Sequence, residues 1–210
     1  MGCVEMNMSG LAPNLDRTNP FCAARLRPGT IDFVFEQGKS VEQLVDALAA
    51  NAWRGQITGS HGTGKSTLLA ALIPAVESRG RLVRSITLAA GQRHLPRRFF
   101  RVLRRTAGLG VAAVDGVEQL HIWNRLLLKR FCQTHGVGLI VASHRSAQLP
   151  SLYETAVDDS RAWSVVQRLQ DGFPPYIELN DLVERLARHQ GNLRETLFDL
   201  YDLYEERSRG

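Results

Sequence analysis

One octapeptide limits what this chain can fold into. Gly59-Ser60-His61-Gly62-Thr63-Gly64-Lys65-Ser66 fits the pattern G-x-x-x-x-G-K-[ST]. Three glycines free the backbone to curl tightly, so that successive N–H groups point inward at one anion. A helix starting near Lys65 adds its positive N-terminal end. The Lys65 ammonium then reaches β- and γ-phosphates, and the Ser66 hydroxyl is available to Mg2+. Such a loop needs a strand before it and a helix after it. RGQITG (54–59) reads as a short strand, and STLLAALIPAVES (66–78) as a helix with a kink expected at Pro74. Thr67 has two readings, a contact to an α-phosphate or a helix cap.

The rest of the chain alternates in the same way. RLVRSITLAA (81–90), LGVAAVDG (109–116) and GLIVASH (138–144) read as strands. The last two are apolar on both faces, as strands buried in a parallel sheet are. LYETAV (152–157) reads as an edge strand and IDFVF (31–35) as a further short one. Ser40 is placed to cap a helix that carries Val41, Leu44, Val45 and Leu48 on one side. A helix is expected over 118–136, stopped by Gly136, and the pattern beyond 157 is purely helical: 158–170, 180–190 and 193–207. Residues 1–30 are punctuated by Pro13, Pro20, Pro28 and Gly29 and read as loop. The expected fold class is α/β: a three-layer core with a parallel sheet over 40–157, a small C-terminal helical lid over 158–210, and an N-terminal extension over 1–39.

Composition narrows the classes further. At 210 residues, 44% hydrophobic and 22% charged, the chain suits one globular domain with a small appendage, and excludes disordered and fibrous classes. No run nears the length of a membrane span, and the opening MGCVEMNMSG lacks the regions of a signal peptide. Cys3, Cys22 and Cys132 are an odd, widely spaced set, which suits a reducing cytoplasm better than a disulfide framework or a zinc site.

The metal side of a phosphate site is expected at Asp115. It closes the apolar run Val111-Ala112-Ala113-Val114, and ligands of parallel sheets lie beyond the carboxyl ends of the strands. Asp115 would there hold a magnesium-bound water, although an aspartate opening an Asp-Gly turn reads the same. Glu118, three residues on, is a candidate to orient or deprotonate an attacking water, or to satisfy a helix dipole. Ser143, His144 and Arg145 close the next strand at the same edge, where any of them can meet a γ-phosphate or be structural.

On these motifs the chain resembles P-loop NTPases of the additional-strand class, most closely AAA+ ATPases, over roughly 40–205. The order of phosphate loop, one intervening strand, Walker B-like strand and a further strand carries the resemblance. So does Gly191-Asn192-Leu193-Arg194-Glu195, which looks like the sensor 2 motif opening the last lid helix. The resemblance implies ATP and Mg2+ as ligands, Lys65, Glu118 and Arg194 as catalytic residues, Gly59 through Thr67 with Ser143 around the nucleotide, and Ser66 and Asp115 at the metal. Ser143 falls at the sensor 1 position. From the residues alone, Asn192 is a good N-cap, so Arg194 is a cation in a first helical turn, against the dipole. A polyphosphate would rationalise it; so would a pair with Glu195 or Asp199. Leu193, Thr196, Leu197, Leu200, Tyr201 and Tyr204 form one face that reads as lid core.

The chain departs from the AAA+ pattern in having Gly116 directly after Asp115, the acid arriving only at Glu118. No arginine finger stands out, and the lid is short. Two other functions share the motif: a small-molecule or nucleoside kinase, and a nucleotide-binding adaptor that does not hydrolyse. No N-K-x-D string selects guanine, which favours adenine, and Asn19-Pro20-Phe21 is a candidate approach to the base. The net charge of +5 is concentrated in 93–105, where Arg93, Arg97, Arg98, Arg101, Arg104 and Arg105 stand without an acid. A helix after Pro96 would gather Arg97, Arg101, Arg104 and Arg105 on one face, with Phe99 and Phe100 stacking on bases or packing inward. That patch suits a nucleic-acid backbone or an acidic protein partner, or is simply solvated. The sequence does not give the oligomeric state.

Overall fold

The computed structural model describes residues 19–209 apart from residue 37. The readings made on Cys3, Pro13 and the opening segment lie outside the described residues. Chain order is α1 (Val41–Ala50), β1 (Arg54–Gly59), α2 (Lys65–Ser78), β2 (Leu82–Thr87), α3 (Arg97–Arg104), β3 (Gly110–Asp115), a 3₁₀ turn (Val117–Gln119), α4 (Ile122–Thr134), β4 (Gly138–Ser143), β5 (Ser151–Thr155), α5 (Asp159–Gln170), α6 (Leu179–Arg188) and α7 (Leu193–Arg209).

The sheet runs β2-β3-β4-β1-β5, and every pairing in it is parallel. β4 is thus inserted between the phosphate-loop strand and the strand ending in Asp115, which is the additional-strand arrangement. β3 and β4 are buried along nearly their whole length because both faces are covered. Alternate residues feed two cores. Ile57, Val111, Ala113, Ile140 and Ala142 pack under α1 and α2, with Leu48, Leu68 and Leu72. Ala112, Val114, Leu139 and Val141 pack under α3 and α4, with Phe99, Leu103 and Leu128. Ser40 caps α1 by accepting from the Gln43 amide, and α2 runs on through an exposed Pro74 to Ser78.

α5, α6 and α7 close a separate core around Val166, Leu182, Leu200 and Tyr204. Phe21 is fully buried in that core, edge-on to Tyr204 at 5.8 Å. The Asn19 amide donates to the Tyr201 carbonyl at 3.1 Å and to Glu205 at 2.9 Å. Asn19-Pro20-Phe21 is therefore anchored in the lid core.

Residues 31–35 are not a strand. Their one ladder contact is an isolated bridge between Pro28 and Ile31. Phe33 and Phe35 instead turn onto Tyr153 of β5, with ring centroids 5.7 and 5.9 Å away. Edge-on packing of these rings half-buries the two phenylalanines without extending the sheet. The helix expected from 118 begins at Ile122, because Gly116 takes a left-handed φ of 77° and the chain makes one 3₁₀ turn first.

Candidate functional site

The carboxyl ends of the parallel strands meet at a cavity of about 650 Å3, within the range of small-molecule sites. Its floor is the phosphate loop. Gly62 and Gly64 hold φ values of 70° and 92°, conformations that side chains strain to adopt. Thr63 donates to the Ser60 carbonyl at 2.9 Å, and its hydroxyl meets the Thr155 hydroxyl at 2.6 Å. Thr155 in turn reaches the Thr58 carbonyl at 3.2 Å, so the end of β5 braces the loop from beneath. A Cβ on Gly59 would collide with Thr155, and one on Gly62 with Asn192 of the lid.

Lys65 is 8% exposed, and its ammonium donates to the Gly59 carbonyl at 2.9 Å and to the Ser60 carbonyl. It also lies 3.1 Å from His144 Nδ1, and His144 Nε2 lies 3.2 Å from Glu118 Oε1. The strand order explains this row. β4 sits between β1 and β3, so the residue after β4 bridges the lysine after β1 and the acid after β3. With Nδ1 accepting from the ammonium, Nε2–H donates to the carboxylate, and the Gly59 carbonyl 3.3 Å from the same Nδ1 is satisfied by Lys65 instead. The His61 ring lies over His144 with centroids 3.4 Å apart.

Burial lowers the Lys65 pKa, against the opposing pull of Glu118 and Asp115. Burial also lowers that of His144, helped by the Lys65 charge and opposed by Glu118. The second Glu118 oxygen is buried and has no hydrogen-bond partner among the described residues. A buried carboxylate oxygen carries a full desolvation penalty unless something donates to it.

Ser66, Thr67, Asp115, Glu118, His144 and Arg194 all line the cavity. Ser143 does not. Its hydroxyl is buried and accepts from the Arg145 amide at 3.2 Å, and the next residue, His144, lines the cavity. Arg145 is exposed and outside the cavity. Gly116 lets Glu118 swing back, its amide bonding the Ala142 carbonyl at 3.0 Å. At the lid, Asn192 caps α7 by accepting from the Glu195 amide at 3.3 Å. Arg194 has no ion pair among the described residues and lies 5.8 Å over Phe198. Asp199 is engaged by Arg185, Arg188 and His189.

The sequence reading missed several neighbours. Phe33 packs against Gly64, while Thr87 and Arg161 line the cavity. Thr155 ends an edge strand, a position that could have marked it; Phe33 and Arg161 carried no motif.

The donor set fits a magnesium nucleotide. Among the described residues no cluster of three histidines, cysteines or acids forms an all-protein metal cage. Ser66 and Asp115 on the cavity wall are one hydroxyl and one carboxylate, the donor types that Mg2+ takes beside phosphate oxygens.

No protein-family model matches the chain, and no curated protein matches it. Solved structures do. Domain III of the replication initiation protein DnaA from Thermotoga maritima is 16% identical at a TM-score of 0.58, covering 84% of this chain and 88% of that one. AMPPCP-bound DnaA from Aquifex aeolicus is 16% identical at 0.54, over 84% and 67%. The S. cerevisiae Hsp104–ADP complex is 14% identical at 0.56, over 88% and 32%. These likenesses define the class of fold: an AAA+-like P-loop fold.

Proposed function

We propose that this chain binds ATP with Mg2+ and hydrolyses it, using the reaction to shift the helical lid of 158–210 against the core of 40–157, with 1–39 as an extension. The observation that carries the reading is the row Lys65–His144–Glu118 beside the glycine loop, ending in a buried carboxylate oxygen that lacks a donor. A water bound there would satisfy that oxygen and stand at the γ-phosphate end of the site. The nucleotide ligands of the DnaA and Hsp104 structures support the same choice.

Each residue then has a task. The loop amides and Lys65 hold the phosphate tail, Lys65 exchanging its carbonyl partners for phosphate oxygens. Ser66 and Asp115 hold Mg2+, which when bound neutralises phosphate charge. Glu118 orients the water and accepts its proton. His144 keeps Glu118 in place, as a positioning residue. Arg194 carries an unpaired cation from the lid to the γ-phosphate, so lid position depends on that phosphate. The buried free thiols Cys22 and Cys132 suit the cytoplasm.

Glu118→Gln tests the reading. It should keep MgATP binding and lose phosphate release by at least about a hundredfold, the scale of a general base. Equal turnover in variant and wild type would remove Glu118 from the chemistry. A second reading is favoured by Gly116 after Asp115 and by Glu118 already being engaged by His144: a nucleotide-binding adaptor that does not hydrolyse. Tight ATP binding with no phosphate released over hours would select it.

A further inference from the structure

The outer layer over β3 and β4 carries two features that the nucleotide site does not use. The first is charge. Arg93, Arg97, Arg98, Arg101, Arg104 and Arg105 are all exposed, and none makes a side-chain hydrogen bond or ion pair among the described residues. The second is an apolar stripe on α4. Trp123 is 71% exposed, Ile122 59%, Leu127 54% and Leu126 49%. These residues follow helical spacing, and Leu127 shares its side of the helix with Phe131, one turn on.

The two features adjoin. Phe131 of α4 meets Phe100 of α3 edge-on, with centroids 5.1 Å apart. Phe99 turns inward to the core, which leaves the arginines on the outer side of α3. At the other end of the stripe, the loop at Gly91 and Arg93 and the first turn of α4 enclose a cavity of about 480 Å3 that Ile122 lines. Glu118 borders that cavity as well as the nucleotide cavity. An occupant of the stripe therefore ends at the chain segment that carries Glu118.

We propose that this face docks an acidic amphipathic helix of a partner protein. The arginines lack counter-charges, so the occupant supplies carboxylates. The stripe is mostly aliphatic, so the occupant also supplies apolar side chains. Tryptophan and arginine are the residues enriched at the energetic centres of protein interfaces. An amphipathic helix laid along such a seam is a recurrent way of covering it. A nucleic acid would use the arginines but would leave Ile122, Leu126 and Leu127 uncovered, since aliphatic side chains give bases no stacking surface. The docking site stands independently of whether the nucleotide reading holds.

The test uses the full chain and a fluorescein-labelled peptide of about 18 residues, five helical turns. Leucines at i, i+3, i+4 and i+7 and glutamates elsewhere give it one apolar and one acidic side. Fluorescence anisotropy should show it binding about tenfold or more tighter than a scrambled peptide of the same composition. Trp123→Ala with Leu127→Ala should weaken it about tenfold or more, as interface anchors do. Arg101→Glu with Arg104→Glu should do the same. All four positions are exposed, and MgATP calorimetry on the same samples checks that the nucleotide site is intact. Equal affinity for patterned and scrambled peptides, or indifference to either double variant, overturns the proposal. Tighter binding of an oligo-dT or a random duplex assigns the face to nucleic acid instead. Self-association in sedimentation that Leu127→Ala abolishes assigns it to a second copy. Either result also overturns the proposal.

Discussion

His144 concentrates the chemistry of the site in one side chain. Its ring joins the loop lysine to the candidate base, and it does so only while Nδ1 is free of a proton. Its folded pKa lies below the ordinary 6.5, so the folded protein binds this proton less well than the unfolded chain does. Stability from this group is present above about 6.5 and is lost as pH falls through the folded pKa. Wild type should therefore lose more melting temperature between pH 8 and pH 5.5 than His144→Gln does. Equal losses would deny His144 a titrating role. A second residue-scale expectation concerns Cys132, whose thiol burial raises to about 12. It should resist a thiol reagent in the native state and react once denatured; rapid native reaction would contradict its burial.

At the scale of elements, the glycine loop depends on β5. Thr155 is its brace, and Thr155→Val removes the hydroxyl that meets both Thr63 and the Thr58 carbonyl while keeping shape. A loss of about 1 kcal/mol, or roughly fivefold in nucleotide affinity, is expected by calorimetry. Unchanged affinity would show that the loop holds its form unaided. The strands were largely readable in the sequence because β3 and β4 are apolar on both faces, and the octapeptide locates β1 and α2. Residues 31–35 misled because a short apolar run reports side chains that need cover, which Phe33 and Phe35 find against Tyr153 without a ladder. The start of α4 misled because one glycine and a 3₁₀ turn delay it. For the site, Lys65, Ser66, Asp115, Glu118 and Arg194 were singled out by motif and spacing, and all five line one cavity at the carboxyl ends of the strands. That His144 rather than Ser143 faces inward was not legible, since one residue at a strand's end reverses the direction of a side chain.

The whole molecule joins a sheet core to a lid core across one cavity. The lid core holds together through residues such as Leu200, fully buried among Val166, Leu182 and Tyr204. Leu200→Ala should cost about 2–5 kcal/mol. Hydrogen exchange should localise the loss to α5–α7; uniform loosening of β3 and β4 would mean that the two cores are one. The contact of Gly62 with Asn192 brings the lid onto the loop, and Arg194 beside it has no acid of its own. Binding at the loop and closure of the lid should therefore report the same ligand. Titrating wild type and Lys65→Ala with MgATP in a calorimeter tests that account most directly. It predicts saturable heat at one nucleotide per chain for the wild type and none for the variant. Absence of heat from wild type with any magnesium nucleotide, or equal heat from both proteins, would contradict it.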